Sequence, residues 1–398
     1  MSARSECGSG EESGMPTRVN VAPEMLRWAR QRARYSVADL ANRFPMLSQW
    51  EAGSVKPTMG QLEKYAQATY TPIGFFFLPS PPEETLPVPD FRTFRDEQNR
   101  NPTPNLLDTI YACEQRQEWY REFAESHGYP SVPVVGSMSL TVSPEAAANH
   151  LRDSLGFSLR IRSEFPTWTD ALRGLSDHAE RQGILVMTSG IVGSNTHRKL
   201  DPKEFRGFSL VDPIAPLIFI NGADTKAAQI FTLAHELAHI SLGGSAISNQ
   251  DLAHIANGDQ TERWCNEVAA ELLLPLASLR EEFVRSRDLT AELQRLARQY
   301  KVSTLVVLRR IFDAGYLQER QFSRAFEDEL ERVLALMNRQ SSGGNFYTTL
   351  PVRVGRRFAR SVVADTLEGG TLYRDAFRLL GFKKTSTFEQ LSESLGVA

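Results

Sequence analysis

The stretch Phe231–Ile240, FTLAHELAHI, carries two histidines four residues apart and a glutamate directly after the first of them. Its apolar residues recur every three or four positions, which predicts an α-helix. Residues four apart lie one above the other on a helix, so His235 and His239 can direct both imidazoles at one ion. Because such groups are costly to bury without partners, the stretch predicts either a metal site or a helix with internally hydrogen-bonded histidines.

The H-E-x-x-H spacing is typical of zinc sites that hydrolyse peptide bonds. Two imidazole nitrogens on one helix face suit the tetrahedral coordination of Zn²⁺. Glu236 falls on an adjacent face, where it can act on a water molecule rather than on the metal. Zinc lowers the pKa of bound water to about 7, so a neighbouring carboxylate can serve as general base. We therefore predict Zn²⁺ as cofactor, His235 and His239 as ligands, and Glu236 as the catalytic base.

A catalytic zinc site needs a third protein ligand, and the segment QTERWCNEVAAELLLP (260–275) supplies the candidates. Its apolar residues form one face of a predicted helix. Glu262 lies at the edge of that face, and Asn266, one turn further on, could hold a ligand in place. Glu262 is the favoured ligand. The alternatives that stay open are Glu267, Glu271 and Cys265.

Composition excludes several classes of protein. The 398 residues carry a formal net charge of −3, which gives no overall attraction to nucleic acid or to a membrane surface. Cys7, Cys113 and Cys265 are scattered and odd in number, so we expect a reducing cytoplasm rather than a disulfide framework. No apolar run approaches the roughly 18 residues that a membrane span needs.

Changes in composition along the chain predict several domains, as its length also does. The polar composition of residues 1–15 predicts a disordered tail. The proline-rich stretch at 79–104 is typical of a semi-rigid spacer. The strand-like runs GILVMTS, FRGFSLVD and APLIFIN precede the motif helix, and helical patterns follow it to about residue 338. The predicted boundaries are 1–15 for the tail, 16–78 for a helical block, 79–104 for the linker, 105–338 for the domain with the motif, and 339–398 for a C-terminal region read as three short helices.

Two segments, IFINGADTKAAQIFTLAHELAHISLGG and ERWCNEVAAELLLP, resemble the ImmA/IrrE-type metallopeptidases, and the resemblance extends over about residues 180–312. It implies a zincin-like α+β domain that binds zinc through His235 and His239, with Glu236 as base and Glu262 as acidic ligand. It also implies that the substrate is a repressor protein of the helix-turn-helix type. The chain departs from the usual residues of that family at Trp264, Cys265 and Val268.

Residues 16–78 resemble a Cro/repressor-type helix-turn-helix domain through SVADLAN, SQWEAGSVKPT and GQLEKYAQ. The intervening segment is about four residues shorter than that pattern, so the helix that enters the major groove lacks its first turn. Only Arg43, Ser48 and Gln49 remain there to contact bases. Eight basic and four acidic residues give the block a local net charge of +4. It predicts weak DNA binding, or else a surface that pairs with a repressor of the same fold.

The predicted fold class is α+β, with an all-α helix-turn-helix domain, a zincin-like metallopeptidase domain with a small sheet, and a helical C-terminal region. The predicted function is a cytoplasmic zinc endopeptidase that cleaves or controls a helix-turn-helix repressor in a stress, phage or mobile-element response. Its substrate would add a strand to a sheet edge, with FRGFSL or PLIFI as template. The alternative is a DNA-binding regulator or antitoxin whose peptidase-like domain acts as sensor or partner-binding scaffold. The sequence predicts no particular oligomeric state.

Overall fold

The computed structural model describes residues 17–89, 101–248, 260–337 and 346–397. The chain divides into two compact units. The first comprises Met1–Thr85 and Arg100–Pro104, and the second comprises Leu86–Asn99 and Asn105–Ala398. The boundaries predicted from the sequence stay predictions. The predicted tail over 1–15 and residues 90–100 of the predicted linker lie outside the described residues.

Short helices around an aromatic core form the first unit. They are α1 (Pro23–Arg32), α2 (Val37–Ala41), α3 (Leu47–Glu51), α4 (Met59–Ala68) and a 3-10 helix (Ile73–Phe77). Trp50, Tyr65 and Phe76 are buried, and the Tyr65 hydroxyl donates to the carbonyl of Leu26 at 2.8 Å. The Thr58 side chain accepts from the first turn of α4, which is the usual reason for a helix to begin at a threonine.

The third helix of this unit is short. α3 has five residues, which corresponds to a rise of about 7.5 Å. Ser48 and Gln49 are exposed on it, and Arg43 is exposed just before it. The arrangement matches the shortened segment noted in the sequence, and the assignment of this unit as a helix-turn-helix domain stays a prediction.

A four-stranded mixed sheet lies at the centre of the second unit. Its strands are β1 (Leu185–Ser189), β2 (Gly207–Leu210), β3 (Leu217–Asn221) and β4 (Ala246–Ser248), in the spatial order β1-β3-β2-β4. β1 runs parallel to β3, and the other neighbours are antiparallel. β1, β2 and β3 confirm the three predicted strands. The small sheet among many helices confirms the predicted α+β class.

Fourteen helices surround the sheet within the described ranges. They are α5 (Pro104–Ser126), α6 (Pro144–Leu155), α7 (Leu159–Glu164), α8 (Trp168–Arg181), α9 (Lys226–Leu242), α10 (Gln260–Leu273), α11 (Leu276–Glu282), α12 (Leu289–Tyr300), α13 (Thr304–Asp313), α14 (Glu319–Met337), α15 (Phe346–Val354), α16 (Arg356–Leu367), α17 (Tyr373–Leu380) and α18 (Thr385–Leu395). No helix in this part of the chain is long and apolar enough to cross a membrane.

The sheet separates two hydrophobic cores, because successive side chains of a strand point to opposite faces. On one face, Val186 and Ile218 pack with α9 and α10 in what we call the α9-side core. On the other face, Phe208, Phe219 and Ile247 pack with α5 and α15–α18 in the far-side core. The motif helix α9 therefore rests on one face of the sheet, and the C-terminal helices support the other face.

Three expectations from the sequence are wrong in detail. β4 interrupts the stretch that was predicted to be entirely helical after the motif. The C-terminal region contains four helices instead of three, because Gly355 adopts a left-handed φ of 83° and separates α15 from α16. FRGFSL and PLIFI cannot serve as an edge template, since β2 and β3 are interior strands that already pair on both sides. In the part of the sheet that the structure describes, β4 is an end strand beside β2.

Candidate metal centre

The helix that carries the motif has well-defined ends. The Thr225 hydroxyl accepts from the amide of Ala228 at its start, and Gly243 ends it with a left-handed φ of 78°. His235, Glu236 and His239 are buried, with at most 1% of each residue exposed. Such burial excludes a solvated helix face for these three groups.

The two motif histidines and Glu262 converge on one point. His235 Nε2 and His239 Nε2 are 3.0 Å apart. The carboxylate of Glu262 lies 3.4 Å from His235 Nε2 and 2.9 Å from His239 Nε2. The three side chains form a group of potential metal-binding atoms that the packing of α10 on α9 brings together.

The other candidates on α10 lie elsewhere. Glu267 is exposed. Glu271 is buried but forms an ion pair with Arg310 and accepts from the amide of Leu276 at 3.4 Å. Cys265 is fully buried in the α9-side core. Of the four residues considered from the sequence, the structure places only Glu262 beside the histidines, as the helical face of α10 indicated.

Glu236 contacts the sheet through β4. Its Oε1 accepts a hydrogen bond from the Ser248 hydroxyl of β4 at 2.5 Å, and its Oε2 has no hydrogen-bond partner among the described residues. Burial raises the pKa of Glu236 to about 7, although the charge of His239 and the hydrogen bond from Ser248 lower it. A carboxylate with a pKa near neutrality and one unpaired oxygen is suited to accept and release a proton.

The charge balance at Glu262 differs from that at Glu236. Burial alone would raise the pKa of Glu262, but the charges and hydrogen bonds of His235 and His239 outweigh this effect and lower it to about 2. Glu262 is therefore held as an anion next to the two imidazoles. The different neighbours of the two buried glutamates therefore shift their pKa values in opposite directions.

The donor set fits a zinc ion. Two atoms bound about 2.1 Å from a tetrahedral ion stand about 3.4 Å apart, close to the observed separations of 2.9 to 3.4 Å. Two imidazole nitrogens and one carboxylate oxygen are also the ligands typical of catalytic zinc. His235 Nδ1 has no hydrogen-bond partner in the described ranges, so no such contact is seen to fix the ring in this orientation.

Among the described residues, Asn266 and the other histidines do not join this group. Asn266 is buried one turn beyond Glu262, its Oδ1 has no partner among the described residues, and it lines a cavity of about 390 Å³ together with Phe231 and Glu271. Of the other histidines, His197 is exposed in a turn, and His254 lies outside the described residues.

Ser248 and Gly207 were not recognised from the sequence. β4 has only three residues, too few for any periodicity to be recognised. The glycine in FRGFSL was a usable signal, because a glycine inside a strand often marks the close approach of another backbone or side chain. A Cβ at Gly207 would lie 2.5 Å from Thr232 Cγ2 and 3.3 Å from Glu236 Oε1. Gly207 thus lets α9 rest close against the sheet.

The glycine at position 207 leads to a stability prediction. We expect Gly207→Ala to lower the free energy of unfolding by about 1–3 kcal/mol, because the added methyl group overpacks the contact between α9 and β2. Gly244→Ala is the matched control, since nothing lies within 4 Å of the added Cβ there. Chemical denaturation of both variants measures the difference. Equal stability of the two variants would contradict the close contact.

Comparison with known proteins agrees with the geometry of the site. Residues 179–312 match a family model described as the IrrE N-terminal-like domain, and this range includes His235, Glu236, His239 and Glu262. The match confirms the resemblance to the ImmA/IrrE family that was found in the motif helices. Residues 354–394 match a second family model, described as a domain of unknown function.

A curated relative is the radiation response metalloprotease IrrE of Deinococcus radiodurans. It is 28% identical over 190 residues, which cover 46% of this chain and 52% of the relative. The chain thus spans about half the length of this relative. The family implies a protein that uses a metal ion, and the buried group at His235, His239 and Glu262 is able to bind one.

Proposed function

We propose that this protein is a zinc-dependent endopeptidase in which His235, His239 and Glu262 hold the metal and Glu236 is the general base. The convergence of the two Nε2 atoms and the Glu262 carboxylate within 3.4 Å is the observation that carries the proposal. When bound, zinc supplies a Lewis acid that polarises the substrate carbonyl and makes water more acidic. The family match over residues 179–312 supports the same assignment.

The chain's own residues account for the proton transfers. The unpaired Oε2 of Glu236 accepts a proton from the attacking water, whose oxygen bonds to the peptide carbonyl carbon. The carboxyl group then passes this proton to the departing nitrogen as the C–N bond breaks. The Ser248 hydroxyl donates to Oε1 of Glu236 and fixes the carboxylate during both steps. The products are a new carboxyl group and a new amine.

We propose the outer edge of β4 as the site where the substrate binds. An extended peptide commonly binds by adding a strand to an exposed sheet edge. β4 lies next to β2 at the end of the sheet, and its Ser248 contacts Glu236 directly. A strand that pairs with β4 is therefore next to the proposed base. In this proposal the substrate strand pairs with β4 instead of with β2 or β3, the strands favoured from the sequence.

The substrate class we propose is a repressor of the helix-turn-helix type, cleaved or controlled in a response to stress or to phage and other mobile elements. The resemblance to ImmA/IrrE-type metallopeptidases motivates this choice, and the name of the relative, a radiation response metalloprotease, agrees with a stress response. Charged and aromatic surfaces of the first unit would contribute to recognition of such a partner.

The deciding experiment incubates the zinc-loaded protein with purified helix-turn-helix repressors of the same organism and analyses the products by intact-mass spectrometry. We expect two fragments whose masses sum to that of the repressor plus one water molecule. The same mixture with a zinc chelator is the control and should leave the repressor intact. An uncleaved repressor in the zinc-loaded sample, with the zinc content verified, would contradict the proposed substrate.

A second candidate function is that of a DNA-binding regulator, and the compact helical first unit favours it. Its basic groups are, however, partly engaged inside the unit. Arg30 forms an ion pair with Glu51 at 2.7 Å, and Arg32 forms one with Glu84. Fewer basic side chains are therefore available for phosphate contacts than the local net charge suggests. In addition, α3 has only five residues, which leaves little helix to contact bases.

We therefore predict weak and salt-sensitive duplex binding without sequence preference. Each phosphate contact contributes about −0.9 to the slope of log affinity against log salt, so a few contacts fade quickly above physiological salt. Titration of the full-length protein with promoter DNA and with a scrambled duplex measures the preference. The variant Arg43→Ala/Gln49→Ala is the matched test of base contacts, and it should leave the ratio of the two affinities unchanged. Nanomolar binding that is selective for the promoter and lost in this variant would establish a transcription factor instead.

A further inference from the structure

The outer edge of β4 is not open in this structure. The amide of Ile247, in the middle of β4, donates to the carbonyl of Pro89 at 3.0 Å. Leu86 and Val88, just before it, are partly buried against the far-side core that contains Ile247. The segment Leu86–Pro89, which we call the covering segment, thus occupies the edge on which the proposed substrate strand would pair.

Within residues 86–89, the covering segment can form fewer hydrogen bonds with β4 than a regular strand can. Its backbone bends at Pro87 and Val88, and it is not part of the sheet. Pro87 and Pro89 have no amide hydrogen, so they can accept from β4 but cannot donate to it. A peptide without prolines can form the missing hydrogen bonds and keep apolar side chains against the far-side core. Such a peptide would bind this edge better than the covering segment does.

The burial of alternate residues shows which chemistry this edge accepts. Thr85, Pro87 and Pro89 are exposed, whereas Leu86 and Val88 are half-buried. A ligand here needs a backbone carbonyl for the Ile247 amide and apolar side chains two residues apart. Covering the end of a sheet also protects it against aggregation, and this simpler role must be separated from competition by experiment.

We propose that the covering segment competes with the substrate for the outer edge of β4, and that the substrate is an extended peptide with apolar side chains at alternate positions. This inference rests on the proposed function for the identity of the edge as the substrate site. Glu84, two residues before the covering segment, is held by Arg32 within the first unit. A partner that disturbs α1 would therefore loosen the chain directly before the covering segment.

The test compares two double variants of the full-length, zinc-loaded protein. Leu86→Ser/Val88→Ser removes the two half-buried side chains, and Glu83→Ser/Thr85→Ser is the matched control at exposed positions. The probe is a fluorescein-labelled peptide with the sequence of residues 83–90, and its binding is followed by fluorescence anisotropy. A tethered segment competes at an effective concentration near the millimolar range. We therefore expect the first variant to bind the peptide at least about tenfold more tightly than the parent, and the control variant to match the parent.

The site of binding is checked with a photoreactive residue in place of the valine in the peptide. The crosslink should map to β4, and a peptide with serine at both apolar positions should not bind. Equal affinities of all three proteins, or a crosslink elsewhere, would overturn the inference and leave the covering segment with a protective role only. Peptide binding does not depend on hydrolysis. Tighter binding in the first variant, without any cleavage of the repressors by the zinc-loaded protein, would support this inference and contradict the proposed function.

Discussion

Replacing Glu236 with glutamine should abolish peptide hydrolysis while the zinc content stays at about one ion per chain. The amide has the same shape and can still accept the hydrogen bond from Ser248, so the fold and the metal-binding group should be preserved. It cannot accept the proton of the attacking water. General base catalysis contributes about 10²–10⁴-fold to a rate, so we expect the cleavage rate to fall at least about a hundredfold.

The measurement combines a cleavage assay on the repressor with metal analysis of the same protein sample. Glu267→Gln on α10 is the matched control, because it removes a carboxylate that is exposed and should leave the rate unchanged. Hydrolysis by the Glu236→Gln variant at the parent rate would mean that another group is the base. Loss of zinc together with activity would mean that Glu236 acts on the metal rather than on water.

Replacing His235 with alanine should remove the metal. A catalytic zinc site uses three protein ligands. Without His235 Nε2, which lies 3.0 Å from His239 Nε2, only His239 and Glu262 would remain to hold the ion. After dialysis we expect the zinc content to fall from about one ion per chain to under about a tenth. Hydrolysis should be lost with it.

A thermal readout separates loss of metal from loss of fold. Zinc that binds the native state raises the melting temperature of the parent, whereas the His235→Ala variant should unfold in one transition that zinc no longer shifts. His150→Ala is the matched control, since His150 is exposed and lies on α6. Undiminished zinc in the His235→Ala protein would contradict the proposed ligand set.

The site could be predicted from the sequence because its residues obey local geometry. The i, i+4 spacing alone places the imidazoles of His235 and His239 on one helix face. Glu262 followed from the apolar face of α10, whose edge it shares. The strands β1, β2 and β3 were found because each lies in a short segment rich in apolar residues and bounded by turn residues.

The sheet order and the role of β4 depend on contacts that no local pattern encodes. The short segment GFSL of β2 does not distinguish an interior strand from an edge strand, so the sequence could not show that β3 and β4 flank it. Ser248 is one serine among many until the sheet brings it to Glu236. Gly355 separates two helices through a left-handed φ, which glycine permits but does not require.

The two-sided sheet also determines how this gene product can be divided. A fragment that begins and ends at the borders of the family match, residues 179–312, would keep α9 intact but lack α5 and α15–α18. Phe208, Phe219 and Ile247, now covered by those helices, would face water. Apolar patches of this kind promote aggregation. A C-terminal truncation that is inactive or insoluble would therefore show that the domain no longer folds. It would not show that the C-terminal region has a separate activity.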